Sequence, residues 1–191
     1  MIPDHIIASN KHGRYCVPKS SRSRPAAKAV LAGGVWEEKT ISLMAMNCGD
    51  GDIVHAGTYF GDFLPGLSRA LKSCARLWTF EPSYENFLCS QQTVALNDLT
   101  NVSLIHAGLG ARSGEGSLCV SAAGEVQGGG SSFVQSKIPG AVYEDVQILA
   151  LDDIVPPDRH VSVVQFDVED YEQQAFKGAR YPEALSSSAY S

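Results

Sequence analysis

Ile53-Val54-His55-Ala56-Gly57-Thr58-Tyr59-Phe60-Gly61 is the stretch that decides the fold of this 191-residue chain. Its first four residues form a short, mostly apolar run, as a strand buried in a parallel sheet requires. Gly57 ends the run. From Phe60 to Arg76 apolar residues then recur at 60, 63, 64, 67, 71, 74 and 75, which predicts a helix. Pro65 and Gly66 fall early in it, where a first turn tolerates them. Leu77 to Phe80 reads as a second strand ending at Glu81-Pro82, Ser83 to Ala95 as a second helix closing at Asn97, and Val102 to His106 as a third strand. The order strand–helix–strand–helix–strand predicts a parallel sheet with right-handed crossovers, an α/β fold of Rossmann-like type.

Further out, Val161 to Phe166 is another buried strand, ending at Asp167, and a helix follows from about Glu172 to Ala179. Ser117 to Val120 and Val146 to Ala150 are further strands, with a mobile surface loop from Gly124 to Ser132 between them. Its glycine run, 128–130, precedes no lysine or helix and is not read as a phosphate cradle. Trp36 to Met46 reads as a helix with Trp36, Ile41, Leu43 and Met44 on one side, and Gly49 to Asp52 as a plain turn. Residues 1–34 form a weakly patterned basic extension, 35–183 the Rossmann-like domain, and 184–191 a serine-rich flexible tail.

Composition narrows the function classes. Hydrophobic residues make up 44% and charged residues 19%, the profile of a soluble globular domain. No apolar run is long enough to span a bilayer, and no signal peptide opens the chain, so a cytoplasmic protein without membrane attachment is expected. The net charge of −6 argues against nucleic acid as the partner. Six of the fifteen Lys and Arg residues nonetheless lie in residues 1–34, and Lys19 to Pro25 reads as a solvated, partly disordered arm. The five cysteines form no C-x-x-C pair, so neither a disulfide framework nor a metal site is expected, and Cys74 and Cys89 read as small core residues.

In an open parallel sheet, ligands sit beyond the carboxyl ends of the strands. Gly57 there lets the backbone pass close to a ligand, and Gly61 lets the following helix begin tight against the strand. Glu81, twenty residues after Gly61, can accept hydrogen bonds from both hydroxyls of a ribose. Together these predict a nucleoside-type ligand. A dinucleotide prefers G-x-G-x-x-G, but Tyr59 stands at the middle-glycine position and crowds a pyrophosphate. S-adenosylmethionine has no pyrophosphate and carries a sulfonium cation, near which Tyr59 or Phe60 can stack.

Over about residues 36–180 these segments resemble FkbM-type methyltransferases. The resemblance rests on Gly51 to Gly61, Thr79 to Phe87, Asn97 with Asn101-Val102, Leu151 to Ile154, Val164 to Glu172, and Phe176 to Ala179. It implies a class I fold and methyl transfer to oxygen, on a sugar or other small metabolite. It also implies that Gly57 and Gly61 line the methionine part of the cofactor and that Glu81 holds the ribose. Pro82 and Gly108 would border the adenine, and Asp167 would face the methyl group and acceptor. Asp167 is the candidate base, with Glu169 and Glu172 behind it; the sequence equally allows it to cap a helix or bind the cofactor amine.

The chain departs from the family pattern at His55, where the pattern has an acid that helps bind the cofactor's amino group. His55 could be neutral and accept one hydrogen bond, act as a base, or mark weakened binding. The chain also stops soon after Ala179, so C-terminal strands look to be missing, and the edge left there would be covered by the N-terminal extension or a second subunit in a homodimer. Two other readings stay open: a nucleoside-binding or structural module that kept the fold, and a nicotinamide-dependent oxidoreductase.

Overall fold

The computed structural model describes residues 2–122, 125, 126, 132, 133, 139–168 and 171–179. The 128–130 glycine run, Glu169 and the 184–191 tail lie outside the described residues. The centre is a four-stranded parallel sheet in the order β11–β3–β4–β5, where β3 is Asp52–Ala56, β4 Leu77–Phe80, β5 Val102–Ile105 and β11 Val161–Phe166. All five residues of β3, including the ionisable Asp52 and His55, are buried, as a central strand with layers on both faces requires.

Alternation along β3 sorts its side chains. Ile53 faces one layer with Leu77, where it packs on Ile41 and Met44 of α2 (Glu38–Asn47) and on Leu64 and Leu67 of α3 (Leu64–Ala70). Val54 and Ala56 face the other, with Phe80, Phe166, Leu151 of α5 (Leu151–Ile154) and Ala175 of α6 (Glu172–Lys177). A second sheet has the order β6–β10–β7–β8, from β6 (Gly108–Leu109), β7 (Gly114–Ala122), β8 (Glu125–Val126) and β10 (Val142–Leu149); β9 (Ser132–Phe133) also pairs with β7.

Several expectations are corrected. The 60–76 helix shrinks to α3, because residues 60–63 form the turn that carries the site and Leu71 is already extended, at ψ 143°. Leu43 is 56% exposed on the outer side of α2, and Cys74 is exposed rather than a core residue. The largest correction is at the N-terminus. His5–Asn10 (β1) and Gly13–Pro18 (β2) form an antiparallel hairpin, followed by a short 3-10 turn at Lys19–Ser21 and α1 (Pro25–Leu31). Lys19 to Pro25 is therefore no disordered arm. Tyr15, Cys16 and Val17 are fully buried with Val30, Phe60 and Cys89, the last from α4 (Tyr84–Leu96). The Asn97 side chain clamps the hairpin, accepting from Arg14 N and donating to Arg14 O at 2.9 and 2.6 Å. The hairpin thus packs on α4 and pairs with no strand of the parallel sheet among the described residues.

Asp52 is more than the last residue of a turn. Only 1% exposed, it accepts from Arg76 N at 2.8 Å, Trp78 Nε1 at 2.7 Å and Arg159 Nε at 2.7 Å, with Arg159 Nη2 on its other oxygen. Burial alone would raise its carboxyl, but the bonds from Arg159, Trp78 and Arg76 outweigh this and hold it below the usual carboxylate range. That contribution is present above the unfolded pKa and is lost as pH falls through the lower folded one. Asp52→Ala is expected to cost about 3 kcal/mol near neutral pH, because it strands buried donors and the Arg159 charge. Urea denaturation at pH 7 checks this; a loss under about 1 kcal/mol would show that the network contributes little.

Candidate functional site

The carboxyl ends of β3, β4 and β11 are bridged by residues 57–63. Gly57 has φ +92°, and a Cβ on it would lie closer than 3.0 Å to Asp167 O at the end of β11. Its N–H and that of Thr58 both donate to Phe80 O, at 3.1 and 3.2 Å, so the turn is anchored on β4. The Thr58 hydroxyl also donates to Phe80 O and meets the Thr79 hydroxyl. Tyr59 takes the left-handed conformation, φ +54°, which is uncommon for a side-chain-bearing residue and is held here from α4. Ser90 Oγ donates to Tyr59 O at 2.7 Å and Thr93 Oγ1 to Phe60 O at 2.8 Å. Thr93 Oγ1 also accepts from Cys16 N at 3.0 Å, joining the hairpin to the turn.

Glu81 stands at the end of β4, 4% exposed. Oε2 accepts from Tyr59 N at 2.7 Å, and Oε1 from Ser83 N at 2.9 Å and from Asn86 Nδ2 at 3.4 Å. The glycine turn and the acid at the end of β4 are thus joined by a direct hydrogen bond. Burial raises the Glu81 carboxyl to about 8, against the opposing pull of the Ser83 and Tyr59 amides and Asn86.

His55 is 2% exposed, its ring stacked on Phe63 at 5.0 Å and 1°. Nδ1 lies 2.5 Å from Gln165 Oε1 on β11. An amide oxygen only accepts, so Nδ1 carries the proton and Nε2 is a bare acceptor. That Nε2 is buried without a hydrogen-bond partner among the described residues. Burial lowers the imidazole to about 4, only partly offset by the Gln165 bond, so the ring is neutral near pH 7. The Tyr59 hydroxyl lies beside Ser21 Oγ without a hydrogen bond closing between them.

Asp167 follows β11 directly, exposed, with its N–H on Ala56 O at 3.0 Å. Pro82 is half-buried, and its carbonyl lies 3.0 Å from His106 Nε2. Gly108 is buried in β6, opposite Ile148 of β10. His55, Gly57, Tyr59, Gly61, Glu81 and Asp167 therefore share one end of the sheet, while Gly108 begins the second sheet. Glu172 opens α6. The sequence reading passed over Asp62, 7% exposed in the same turn. An acid inside the apolar run Phe60-Gly61-Asp62-Phe63-Leu64 was the available signal.

A parallel sheet whose first strand ends in a tight glycine turn, bonded to an acid at the end of the next strand, defines a Rossmann-like nucleoside-binding fold. The chain belongs to the methyltransferase FkbM domain family, which matches residues 55–183. That is a family of methyltransferases whose cofactor is S-adenosylmethionine. No curated protein matches the chain. Among solved structures, it is similar to a SAM-dependent methyltransferase from Aquifex aeolicus, with 16% identity, coverage of 38% of this chain and 39% of that one, and TM-score 0.34. It is also similar to the Pyrococcus abyssi tRNA (uracil-54, C5)-methyltransferase in complex with S-adenosyl-L-homocysteine, with 12% identity, coverage of 53% and 24%, and TM-score 0.37. The chain thus spans under half the length of these solved relatives. No helix among the described residues is long and apolar enough to cross a membrane.

Proposed function

We propose that this chain is an S-adenosylmethionine-dependent methyltransferase acting on an oxygen of a sugar or other small metabolite, in the cytoplasm. The observation that carries the reading is the Tyr59 N to Glu81 Oε2 bond, which fixes a buried acid against the glycine turn. Glu81 Oε2, with Tyr59 N as its donor, keeps lone-pair capacity for a ribose hydroxyl. The unpartnered His55 Nε2 fits the same group, since it can accept from an ammonium. Gly57 to Gly61 would line the methionine part, with Pro82 and Gly108 bordering the adenine.

When bound, the cofactor supplies an electrophilic methyl carbon. The chain's own task is to hold an acceptor hydroxyl in line with that carbon and to take its proton. Asp167 would accept the proton on its carboxylate, being exposed at the sheet's ligand end. The acidic balance of residues 35–191 suits a small acceptor better than nucleic acid. A second copy of the chain covering the β11 edge would make a homodimer. A second reading, cofactor binding without turnover, is favoured by His55 standing where the family pattern has an acid.

The test is calorimetric titration with S-adenosylmethionine, followed by methyl transfer from the labelled cofactor to a panel of glycosides. Asp167→Asn is expected to slow transfer at least about 100-fold with cofactor affinity unchanged. A weaker affinity in that variant would assign Asp167 to the cofactor amine instead. Binding without transfer by the intact chain would favour the second reading.

A further inference from the structure

We infer that Asp62, with His55 Nε2 as second acceptor, is the residue that holds the cationic α-ammonium group of the cofactor's methionine end. This rests on the cofactor assignment above and goes beyond it by naming the residue that takes the cofactor's positive end. Asp62 lies one residue after Gly61 in the turn over the end of β3, and it is 7% exposed. Among the described residues no ion pair forms on it, although a buried carboxylate is normally paired. Asp167 from the end of β11 and Glu37 from the start of α2 lie near enough to repel its charge. The neighbouring charges thus oppose the Asp62 carboxylate, and a cation at the turn would relieve it.

A second, independent observation points to the same ligand. Phe63, the residue after Asp62, lies flat on the His55 ring, whose buried Nε2 can only accept and has no donor. A buried acceptor left open at the end of β3, with a buried carboxylate one residue before the Phe63 that stacks on it, matches a group that is both positively charged and rich in N–H donors. An ammonium is such a group; a sulfonium, with no N–H, would leave Nε2 orphaned. The same surroundings explain why burial, with Asp167 and Glu37 adding to it, raises the Asp62 carboxyl to about 7 against the pull of the Asp62 and Phe63 amides. Glu81 is committed elsewhere, to the Tyr59 and Ser83 amides.

The test compares three ligands on the full chain and on Asp62→Asn, an isosteric change. S-adenosylmethionine and S-adenosylhomocysteine carry the ammonium; 5′-methylthioadenosine lacks it and keeps the adenosine. Calorimetry is expected to show both amino-acid-bearing ligands weakened roughly 30- to 100-fold in Asp62→Asn, with methylthioadenosine unchanged within about threefold. Unchanged methylthioadenosine binding also reports that the variant turn is folded. Unaltered S-adenosylmethionine affinity in the variant would overturn the assignment while leaving the cofactor reading standing. An equal fall for all three ligands would also overturn it, since the residue would then be shaping the turn as a whole. If the intact chain binds none of the three, both the assignment and the cofactor reading fall.

Discussion

Glu81→Ala is expected to weaken S-adenosylmethionine binding by at least about 100-fold and to destabilise the free protein by about 3 kcal/mol. Both effects follow from the same two oxygens. In the free chain they satisfy the buried amides of Tyr59 and Ser83, and each amide left open costs on the order of 1–3 kcal/mol. Calorimetry and urea denaturation read the two losses separately; stability lost with binding intact would remove Glu81 from the ribose site. The same carboxyl makes stability depend on pH. Its folded pKa, about 8, is raised above an unfolded value of 4.5. Its contribution is therefore fully present below the unfolded value and is lost as pH rises through about 8. Asp62, at about 7, acts in the same direction. The urea midpoint should fall between pH 5.5 and 8.5, and fall less in Glu81→Gln; equal slopes would show that Glu81 is not the titrating group.

Gly57→Ala is expected to cost about 4 kcal/mol, a large penalty for one methyl group. Part is the left-handed backbone, φ +92°, at roughly 1–2 kcal/mol for a residue with a Cβ. The rest is collision with Asp167 O, which only displacement of the β11 end can relieve, at the expense of the 3.0 Å bond from Asp167 N to Ala56 O. Gly49 separates the two contributions. It has φ +54° with no atom within 4 Å of its would-be Cβ, so Gly49→Ala should show the backbone part alone. Similar thermal shifts for the two variants would mean that the strand end yields freely. A loss of affinity is also expected for Gly57→Ala, because the collision displaces the turn that would line the methionine part of the cofactor.

The parallel sheet was legible because β3 and β11 are short apolar runs that must be covered on both faces, and β4 leads directly into Glu81. The gathering of Gly57, Gly61 and Glu81 at one end of the sheet was legible from the glycine turn, the acid at the next strand end and the strand order taken together. The end of α3 was not: Leu71 and Ala75 continue a helical period that the backbone abandons at Leu71. Tertiary contacts also hid the hairpin. Its alternation is imperfect, and Cys16 and Val17 are buried in succession. The local cue was Asn10 followed by Gly13, where Asn10 Oδ1 accepts from His12 N at 2.9 Å to close the turn. Asp62 was missed for the opposite reason. An acid beside a glycine reads as solvated, and only the folded turn, in which Asp62 is 7% exposed, makes it buried.

The clasp between Cys16 N and Thr93 Oγ1 joins residues 77 positions apart. During synthesis, β1 and β2 leave the ribosome well before α4 exists. At typical translation rates of about 5–20 residues per second, Tyr15, Cys16 and Val17 wait several seconds for the helix that shelters them. Until then an apolar two-stranded ribbon is marginal by itself. Thr93 receives Cys16 N and donates to Phe60 O with one hydroxyl, so the cofactor turn gains its rear support only as this early segment docks. The order of emergence thus makes this earlier-made segment one that settles only once α4 has formed.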